Sequence, residues 1–375
     1  MKYLHIVSLC LFLSFHAYSQ QTIVSTITHG GLTRDYRLYI PKNYNPSKAA
    51  PLVLNLHGLT SNAIQQEFYG DFRPIADTAG FLICHPNGTV SVTTGLTFWN
   101  VGLAAGENVD DVGFIEALID SLSAKYNIDS KRIYSTGMSN GGFMSYLLAC
   151  ASTRFAAIAS VTGSSTPLID LKCKTAKAIP IMEIHGTADQ TVPYNGTTGI
   201  KAIPDLVAYW ANKNSCNPTP QIIAVPNTNT TDGATAEQHI YKTAAGRNLV
   251  EHFKVIGGAH TWPGASFPIG VTCQDFSASR EIWRFFSQYS LITDVDDSHI
   301  TEQVNVYPNP VESTMNIEVD EKSEFLIKDI NGKNVFSTWL FPEVKNLDMK
   351  HLTAGIYFFE INNGAKKKIG KFIKA

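Results

Sequence analysis

The sequence lacks an excess of charge of either sign. Its 375 residues include 30 Lys and Arg against 32 Asp and Glu, which gives a formal net charge of -2. There is no long basic run, and the short Lys366-Lys367-Lys368 stretch is typical of a solvated strand or turn. Because the electrostatic footprint of a nucleic-acid-binding protein is missing, we expect no nucleic-acid partner.

Metal- and cofactor-binding spacings are also missing. The cysteines show no C-x-x-C pattern, and no glycine-rich loop has the spacing that cradles a phosphate. We therefore expect neither a metal nor a cofactor. The length allows one large catalytic domain and a smaller one, and 44% hydrophobic with 17% charged residues is typical of a globular protein.

No apolar run is long enough to span a bilayer, which takes about 20 residues. The run Ile6–Phe15 follows Lys2 and precedes the small-x-small sequence Ala17-Tyr18-Ser19. This is the pattern of a cleaved secretory signal. We expect residues 1–20 to be removed and the mature protein to be soluble, outside the cytoplasm and without a membrane-spanning segment.

Export would place the cysteines in an oxidising compartment. Five remain once Cys10 leaves with the signal, so we expect two disulfides and one buried thiol. Cys84 lies inside the apolar run 81–84 and is the candidate for the thiol. Four cysteines allow three connectivities, of which we favour Cys150–Cys173 with Cys216–Cys273.

Short apolar runs alternate with helical stretches between residues 21 and 291. The runs end near Gly or Pro and are typical of buried parallel strands: Pro51–Leu56, Gly80–Cys84, Arg132–Ser135, Ala156–Val161, Ile179–Ile184 and Val250–Ile256. The predicted helices are Val112–Tyr126, Gly142–Cys150, Ile203–Asn212 and Ser277–Tyr289. Thr22–Ile40, turning at His29-Gly30-Gly31, predicts an antiparallel hairpin at the sheet edge. The alternation indicates an α/β protein with a mostly parallel sheet covered by helices on both faces.

The pattern changes after Leu291. Residues 293–302 are polar and charged and predict a linker between a catalytic domain over 21–292 and a second domain over 303–375. In the second domain short strands alternate and no helix of useful length is visible: Asn305–Tyr307, Met315–Val319, Phe325–Ile327 and Gly355–Ile361. Asn331-Gly332 marks a hairpin turn. We expect a small all-β sandwich.

A candidate nucleophile follows one of the predicted strands. Gly137-Met138-Ser139-Asn140-Gly141 is the only G-x-S-x-G match in the chain, and it stands between the strand 132–135 and the helix that begins at Gly142. A nucleophile elbow requires this strand–turn–helix context. Since a serine hydroxyl needs a base to take its proton, a histidine and an orienting acid should follow.

In an elbow-type hydrolase the acid and then the base come after the serine, each on a loop that follows a strand. Asp189 follows the strand 179–184, and His260 follows the strand 250–256 across Gly257-Gly258. Other acids and histidines lack this placement: Asp170, Asp205, Asp232, His239, His252, His299 and His351. We therefore expect Ser139, Asp189 and His260 to form a catalytic triad.

Acyl transfer also needs backbone N–H groups aimed at the developing oxyanion. We expect one at Asn140, the residue after the nucleophile, and the other at Leu59 in the loop after the third strand. The sequence Leu56-His57-Gly58-Leu59-Thr60 departs from the HGGG form of many lipases.

Further motifs flank these residues and keep a fixed order over residues 25–290. They are Leu56-His57-Gly58, Asn87-Gly88-Thr89, Trp99-Asn100, Asp110–Phe114, Gly137–Gly142, His185–Asp189, Val192-Pro193-Tyr194 and His260–Gly264. Together they resemble the feruloyl esterase and polyhydroxybutyrate depolymerase type of α/β-hydrolase. The resemblance implies the α/β-hydrolase fold, the triad named above and disulfides in this region.

The tail resembles a different family. Its motifs are Tyr307-Pro308-Asn309-Pro310, Asp329–Lys333, Leu352, Gly355-Ile356-Tyr357 and Lys371–Lys374, and they resemble the C-terminal sorting domain of type IX secretion. The resemblance implies the type IX secretion machinery as a partner, passage across the outer membrane, and a tail that is then cleaved or exchanged for an anchor. The alternative is a carbohydrate-binding sandwich, which is disfavoured because aromatics for sugar stacking are few there.

The substrate is the least constrained expectation. Trp99 and Trp262 could line an aryl or sugar site, although either could equally be a packing residue. Feruloyl or acetyl esters of plant polysaccharide fit an exported serine esterase, with polyhydroxybutyrate or another polyester as the alternative. A non-catalytic, surface-displayed carbohydrate-binding protein is the alternative from a different class, and an intact nucleophile, acid and base argue against it.

Overall fold

The computed structural model describes residues 21–103, 108–174, 177–291, 306–329, 332–342, 345–363 and 367–375. The expected signal peptide, the linker 293–302 and Asn331 of the predicted turn lie outside these ranges. Two compact units are present, one ending at Leu291 and the other following it. No helix in the described ranges is long and apolar enough to cross a membrane.

The first unit is built on a ten-stranded sheet. In chain order its strands, together with the short pair β5 and β6, are β1 Gln21–His29, β2 Leu32–Ile40, β3 Ala50–Leu56, β4 Leu82–Pro86, β5 Thr89–Val90, β6 Thr97–Phe98, β7 Ile128–Met138, β8 Ala157–Val161, β9 Ile181–Gly186, β10 Gln221–Ala224, β11 Thr235–Lys242 and β12 Asn248–Ile256. The spatial order of the sheet is β1-β2-β4-β3-β7-β8-β9-β12-β11-β10, and β5 pairs with β6 separately.

The six central strands, β4 to β12 in that spatial order, run parallel, and two antiparallel strands extend the sheet at each side. The central strands are apolar because helices cover both of their faces, and β3 is buried at every position. The β1–β2 hairpin lies at the sheet edge, as expected from its turn sequence. These observations confirm the predicted α/β fold with its mostly parallel sheet.

Seven helices are described in this unit: α1 Ala63–Tyr69, α2 Arg73–Ala79, α3 Asp111–Ser123, α4 Asn140–Ala151, α5 Pro167–Cys173, α6 Ile203–Lys213 and α7 Ala278–Phe286. The four helices expected from the sequence are α3, α4, α6 and α7. Asp110 caps α3, since its side chain accepts the backbone N–H of Gly113.

The core of the first unit has two layers. Alternate residues of β3 point to opposite faces, so Leu52 and Leu54 join one buried cluster and Val53 joins the other. Side chains of α3, α4 and α6 pack in the first cluster, and side chains of α2 and α7 pack in the second. The sheet is therefore covered on both faces.

The position of each cysteine in one of these two layers limits which cysteines can form a disulfide. A disulfide joins Cys150 at the end of α4 to Cys173 at the end of α5, as predicted, and Cys84 is a buried free thiol, also as predicted. The predicted Cys216–Cys273 bond is wrong, because both cysteines are free. Cys216 packs in the first cluster and Cys273 in the second, so the sheet lies between them.

The second unit is a small β domain. Its described strands are β13 Thr314–Ile317, β14 Ser323–Lys328, β15 Asn334–Leu340, β16 Lys345–Asp348, β17 Gly355–Asn362 and β18 Lys367–Lys374. They form a two-stranded sheet, β13-β16, and a four-stranded antiparallel sheet, β15-β14-β17-β18. Met315, Phe325 and Phe359 share one core between the two sheets. This confirms the expected small all-β domain at the C-terminal side.

Candidate active site

Ser139 occupies a sharp turn between β7, which ends at Met138, and α4, which begins at Asn140. Its backbone has φ 54 and ψ -121, a conformation that costs free energy for a residue with a Cβ. A Cβ on Gly141 would lie 2.1 Å from the carbonyl oxygen of Leu56, so only glycine fits there. The turn holds Ser139 partly exposed at the carboxyl end of β7.

Asp189 and His260 come from loops that follow two neighbouring parallel strands, β9 and β12. The carboxyl ends of parallel strands meet at one edge of a sheet, the same edge at which β7 delivers Ser139. The Nδ1 atom of His260 lies 2.7 Å from Oδ2 of Asp189. The Asp189 side chain is fully buried, whereas that of His260 is 19% exposed. The structure thus brings the expected acid and base into direct contact, with the ring of the base reaching solvent.

The Asp189 carboxylate accepts hydrogen bonds on both of its oxygens. Oδ1 accepts the backbone N–H groups of Thr191 and Val192, while Oδ2 faces His260 and Nε2 of His185, the latter at 3.4 Å. Burial alone raises the pKa of this carboxyl, but its hydrogen bonds with His185, His260 and Val192 outweigh burial and hold the pKa well below its usual range. Asp189 is therefore ionised at any pH near neutrality.

His57 controls the direction of the peptide that precedes Leu59. Its Nε2 accepts the backbone N–H of Gly88 at 2.8 Å, so Nδ1 carries the ring proton and donates it to the carbonyl of Gly58 at 2.7 Å. Burial lowers the pKa of His57 to about 4, which keeps this tautomer neutral. In a trans peptide the N–H points opposite to the C=O, so the Leu59 N–H is directed away from His57.

Gly58 also lies against the nucleophile turn. A Cβ built on Gly58 would be 3.4 Å from the Cβ of Ser139 and 4.0 Å from its Oγ. The first N–H groups of a helix have no acceptor within the helix, and the Asn140 N–H is at that position in α4. The structure therefore places the two expected oxyanion donors, Leu59 and Asn140, on segments that both adjoin Ser139.

Trp99 ties these two segments together. Its backbone N–H donates to Oδ1 of Asn140 at 2.6 Å, and its carbonyl accepts from Nδ2 of Asn140 at 3.2 Å. Its indole N–H donates to the carbonyl of His57 at 3.0 Å. The residue after the nucleophile and the loop before Leu59 are thus held by one residue, the first through its backbone and the second through its indole.

The two tryptophans expected at a substrate surface are instead packing residues. Trp99 and Trp262 are each 1% exposed. The indole N–H of Trp262 donates to Oγ of Ser279 on α7 at 3.1 Å, and its backbone N–H donates to the hydroxyl of Tyr69. We correct their assignment accordingly: neither ring offers a face to a bound ester.

Sequence reasoning overlooked His57 and His185 as parts of the site. His57 sits in a motif that the resemblance singled out, but its role depends on the N–H of Gly88, 31 residues further along the chain. His185 carried a local signal: Glu183 and His185 interrupt an apolar strand at a two-residue spacing, which places both on the same face.

Residues 109–220 match the family described as Phospholipase/Carboxylesterase, and residues 305–375 match the family described as Secretion system C-terminal sorting domain. The chain is 31% identical over 209 residues to the "Probable feruloyl esterase C" of Aspergillus oryzae, which covers 53% of this chain and 68% of that protein.

Two further relatives are longer proteins, and this chain matches only part of each. A bifunctional acetylxylan esterase/xylanase of Neocallimastix patriciarum is 31% identical over 170 residues, or 45% of this chain and 23% of the relative. Feruloyl esterase B of Piromyces equi is 29% identical over 232 residues, or 59% of this chain and 41% of the relative. The chain thus spans less than half the length of these two proteins.

A solved structure supports the fold. The acetyl xylan esterase from Aspergillus awamori superposes with a TM-score of 0.52 at 16% identity, covering 71% of this chain and 99% of that one. At this identity the likeness concerns the fold alone.

Proposed function

We propose that this chain, which belongs to the feruloyl-esterase-like family of α/β-hydrolases, is an exported carboxylic ester hydrolase and that Ser139, His260 and Asp189 are its catalytic triad. The observation that carries this proposal is the 2.7 Å contact between Nδ1 of His260 and Asp189, made at the sheet edge where the strained Ser139 turn lies.

The chemistry follows from which ring nitrogen is free. Asp189 engages Nδ1 of His260, so Nε2 is the atom that can take the Ser139 proton. Oγ of Ser139 then bonds to the ester carbonyl carbon, and the carbonyl oxygen becomes an oxyanion. His260 passes the proton to the leaving alcohol as the C–O bond breaks. Water repeats the sequence on the acyl-enzyme, which releases the carboxylic acid and restores Ser139.

The N–H groups of Leu59 and Asn140 are the proposed oxyanion donors. They are preorganised before substrate arrives, since His57 and Trp99 hold the two backbone segments through buried and partly buried hydrogen bonds. Fixed donors need no reorganisation when charge develops on the substrate oxygen, which is the usual source of their contribution to catalysis.

We propose feruloyl or acetyl esters of plant polysaccharide as the substrates. The support is that the relatives sharing this region are named feruloyl and acetylxylan esterases. Polyhydroxybutyrate and other polyesters are the alternative. The exported location supports a polymeric or polysaccharide-linked ester that cannot enter the cell.

We also propose a division of the chain into a signal peptide over residues 1–20, a catalytic domain over 21–292, a linker over 293–302 and a sorting domain over 303–375. The sorting domain directs the chain to the cell surface or outside the cell, through the type IX secretion machinery. Its tail would be cleaved or exchanged for an anchor after passage.

A side-by-side substrate panel tests the proposal. Methyl ferulate, acetylated xylan, short p-nitrophenyl esters and polyhydroxybutyrate are assayed with the purified protein and with Ser139→Ala. We expect turnover of ferulate or xylan acetate that Ser139→Ala abolishes. Faster turnover of polyhydroxybutyrate than of either would favour the polyester alternative, and an unaffected Ser139→Ala variant would refute the triad.

A further inference from the structure

Behind Asp189 lies a buried pair of ionisable residues that the catalytic steps above do not use. Glu183 and His185 are two residues apart on β9, so both side chains point to the face of the sheet covered by α4. Both side chains are completely buried. Nδ1 of His185 lies 2.9 Å from Oε1 of Glu183, whose other oxygen accepts the hydroxyl of Tyr146 from α4 at 2.9 Å.

The second ring nitrogen of His185 faces two acceptors in the part of the chain that the structure describes. Its Nε2 lies 2.9 Å from the carbonyl oxygen of Val192 and 3.4 Å from Oδ2 of Asp189. Neither atom can donate, so Nε2 carries a proton whichever way the His185–Glu183 proton is shared. An N–H of His185 is therefore directed at the same carboxylate oxygen that His260 engages.

The charges around His185 favour its imidazolium form. Burial lowers its pKa, but the hydrogen bonds with Asp189 and Glu183 outweigh burial and raise the pKa to about 9. Burial raises the pKa of the Glu183 carboxyl, and its hydrogen bond with His185 acts in the opposite direction and lowers that pKa. His185 and Asp189 are thus an imidazolium and a carboxylate in contact, and Glu183 bonds to the other ring nitrogen of His185, on the side away from Asp189.

Among the residues that the structure describes, the other neighbours of His185 bring no competing charge into contact with it. Tyr194 packs edge-on at 6.0 Å between ring centroids, and its hydroxyl meets Nε2 of His252 on β12 at 3.0 Å. Burial lowers the pKa of His252 to about 3, so that ring is neutral. His239 of β11 packs against His252 instead of His185. Lys254, which pairs with His185 in the β9–β12 register, is partly exposed.

We propose that His185 is a positioning residue for the catalytic acid, fixing Oδ2 of Asp189 in line with His260 and offsetting part of its negative charge. This inference rests on the proposed triad. Two backbone N–H groups hold Oδ1 of Asp189, so without His185 the Oδ2 atom would keep only His260 among the side chains described. A small tilt of the carboxylate would then shift the ring of the base. His185 touches no substrate, because its ring is fully buried.

The test uses His185→Gln and the double variant Glu183→Gln/His185→Gln, assayed on a p-nitrophenyl ester across pH. Removing the imidazolium leaves Asp189 more negative towards His260 whether or not Glu183 takes up a proton. The acid limb of the kcat/KM profile should therefore move to higher pH by about half a unit or more. We expect kcat to fall by about tenfold, since the base is less well placed, with KM unchanged.

The double variant removes both charges together and so leaves no unpaired charge in the core if the single variant does not fold. The matched control is His252→Gln, which replaces another buried histidine. Nδ1 of His252 bonds to the backbone carbonyl of Glu183 at 3.1 Å. No contact between His252 and Asp189 is present among the described residues. The acid limb of the kcat/KM profile of His252→Gln should therefore stay at the same pH as in the unmodified enzyme.

A folded His185→Gln or double variant whose acid limb stays in place, or moves to lower pH, overturns the proposal. So does a rise in KM without a fall in kcat. These outcomes are distinct from failure of the proposed triad, which would appear as activity that survives Ser139→Ala in the otherwise unmodified protein.

Discussion

The side-chain amide of Asn140 forms two hydrogen bonds with the backbone of Trp99. Oδ1 accepts the Trp99 N–H at 2.6 Å, and Nδ2 donates to the Trp99 carbonyl at 3.2 Å. The same tryptophan donates its indole N–H to the carbonyl of His57. Both proposed oxyanion donors are thereby fixed by one buried connection, which makes the proposed hole a property of the folded chain before any ester binds.

His57→Ala removes the group that orients the Gly58–Leu59 peptide. With the Gly58 carbonyl released, the Leu59 N–H loses its fixed direction, and kcat should fall by about 10²-fold, the scale of one lost oxyanion donor. Steady-state kinetics on a p-nitrophenyl ester measures this. His239→Ala, on the partly exposed strand β11, is the control and should keep its kcat. A His57→Ala variant that folds and keeps full kcat would contradict the assignment.

Asp189→Asn should change how stability depends on pH. The pKa of Asp189 is lower in the folded chain than its unfolded value of about 4. Its ionised form therefore stabilises the fold above about pH 4, and this contribution is lost as pH falls below that value. The destabilisation by Asp189→Asn should be larger at about pH 6 than at about pH 3, by about 1–3 kcal/mol. Urea unfolding at the two pH values measures it, and an equal effect at both would be inconsistent with a lowered pKa.

Trp262→Phe distinguishes packing from substrate contact. The change removes the bond from the indole N–H to Ser279 and leaves a small void beside Phe72, so the free energy of unfolding should drop by about 1–2 kcal/mol. KM for methyl ferulate should not change. An increase in KM with no loss of stability would show that Trp262 contacts the substrate and is not a packing residue.

The disulfide should contribute measurably to stability. Cys150 and Cys173 are 23 residues apart, and the double variant Cys150→Ser/Cys173→Ser should lower the free energy of unfolding by about 2–4 kcal/mol. Peptide mapping without reductant should recover the 150–173 link and free thiols at Cys84, Cys216 and Cys273. A peptide linking Cys216 to Cys273 would show that the two faces of the sheet are misassigned.

The parts of the fold that could be predicted are those that a local sequence pattern indicates. Buried parallel strands such as β3 are mostly apolar because both of their faces are covered. The elbow was recognisable because a strand, a glycine-flanked serine and a helix follow one another directly. The order of acid and base then narrowed the choice among several aspartates and histidines to Asp189 and His260.

What could not be predicted depends on tertiary contacts. Helices α1 and α2 have seven residues each, too few to show a helical period clearly, and the edge strand β10 is exposed along its whole length. The partners of Cys216 and Cys273 depended on which face of the sheet each would occupy. The burial of Trp99 and Trp262 depended on the covering helices and loops, which no local pattern of those residues reveals.

The proposed nucleophile is tested most directly by covalent labelling with a fluorophosphonate and mass spectrometry of the digested protein. The account predicts one adduct per folded chain, on Ser139, with its formation slowed by orders of magnitude in His260→Ala and abolished in Ser139→Ala. A folded chain that takes no adduct, or one labelled at another residue while Ser139 stays unmodified, would contradict the account.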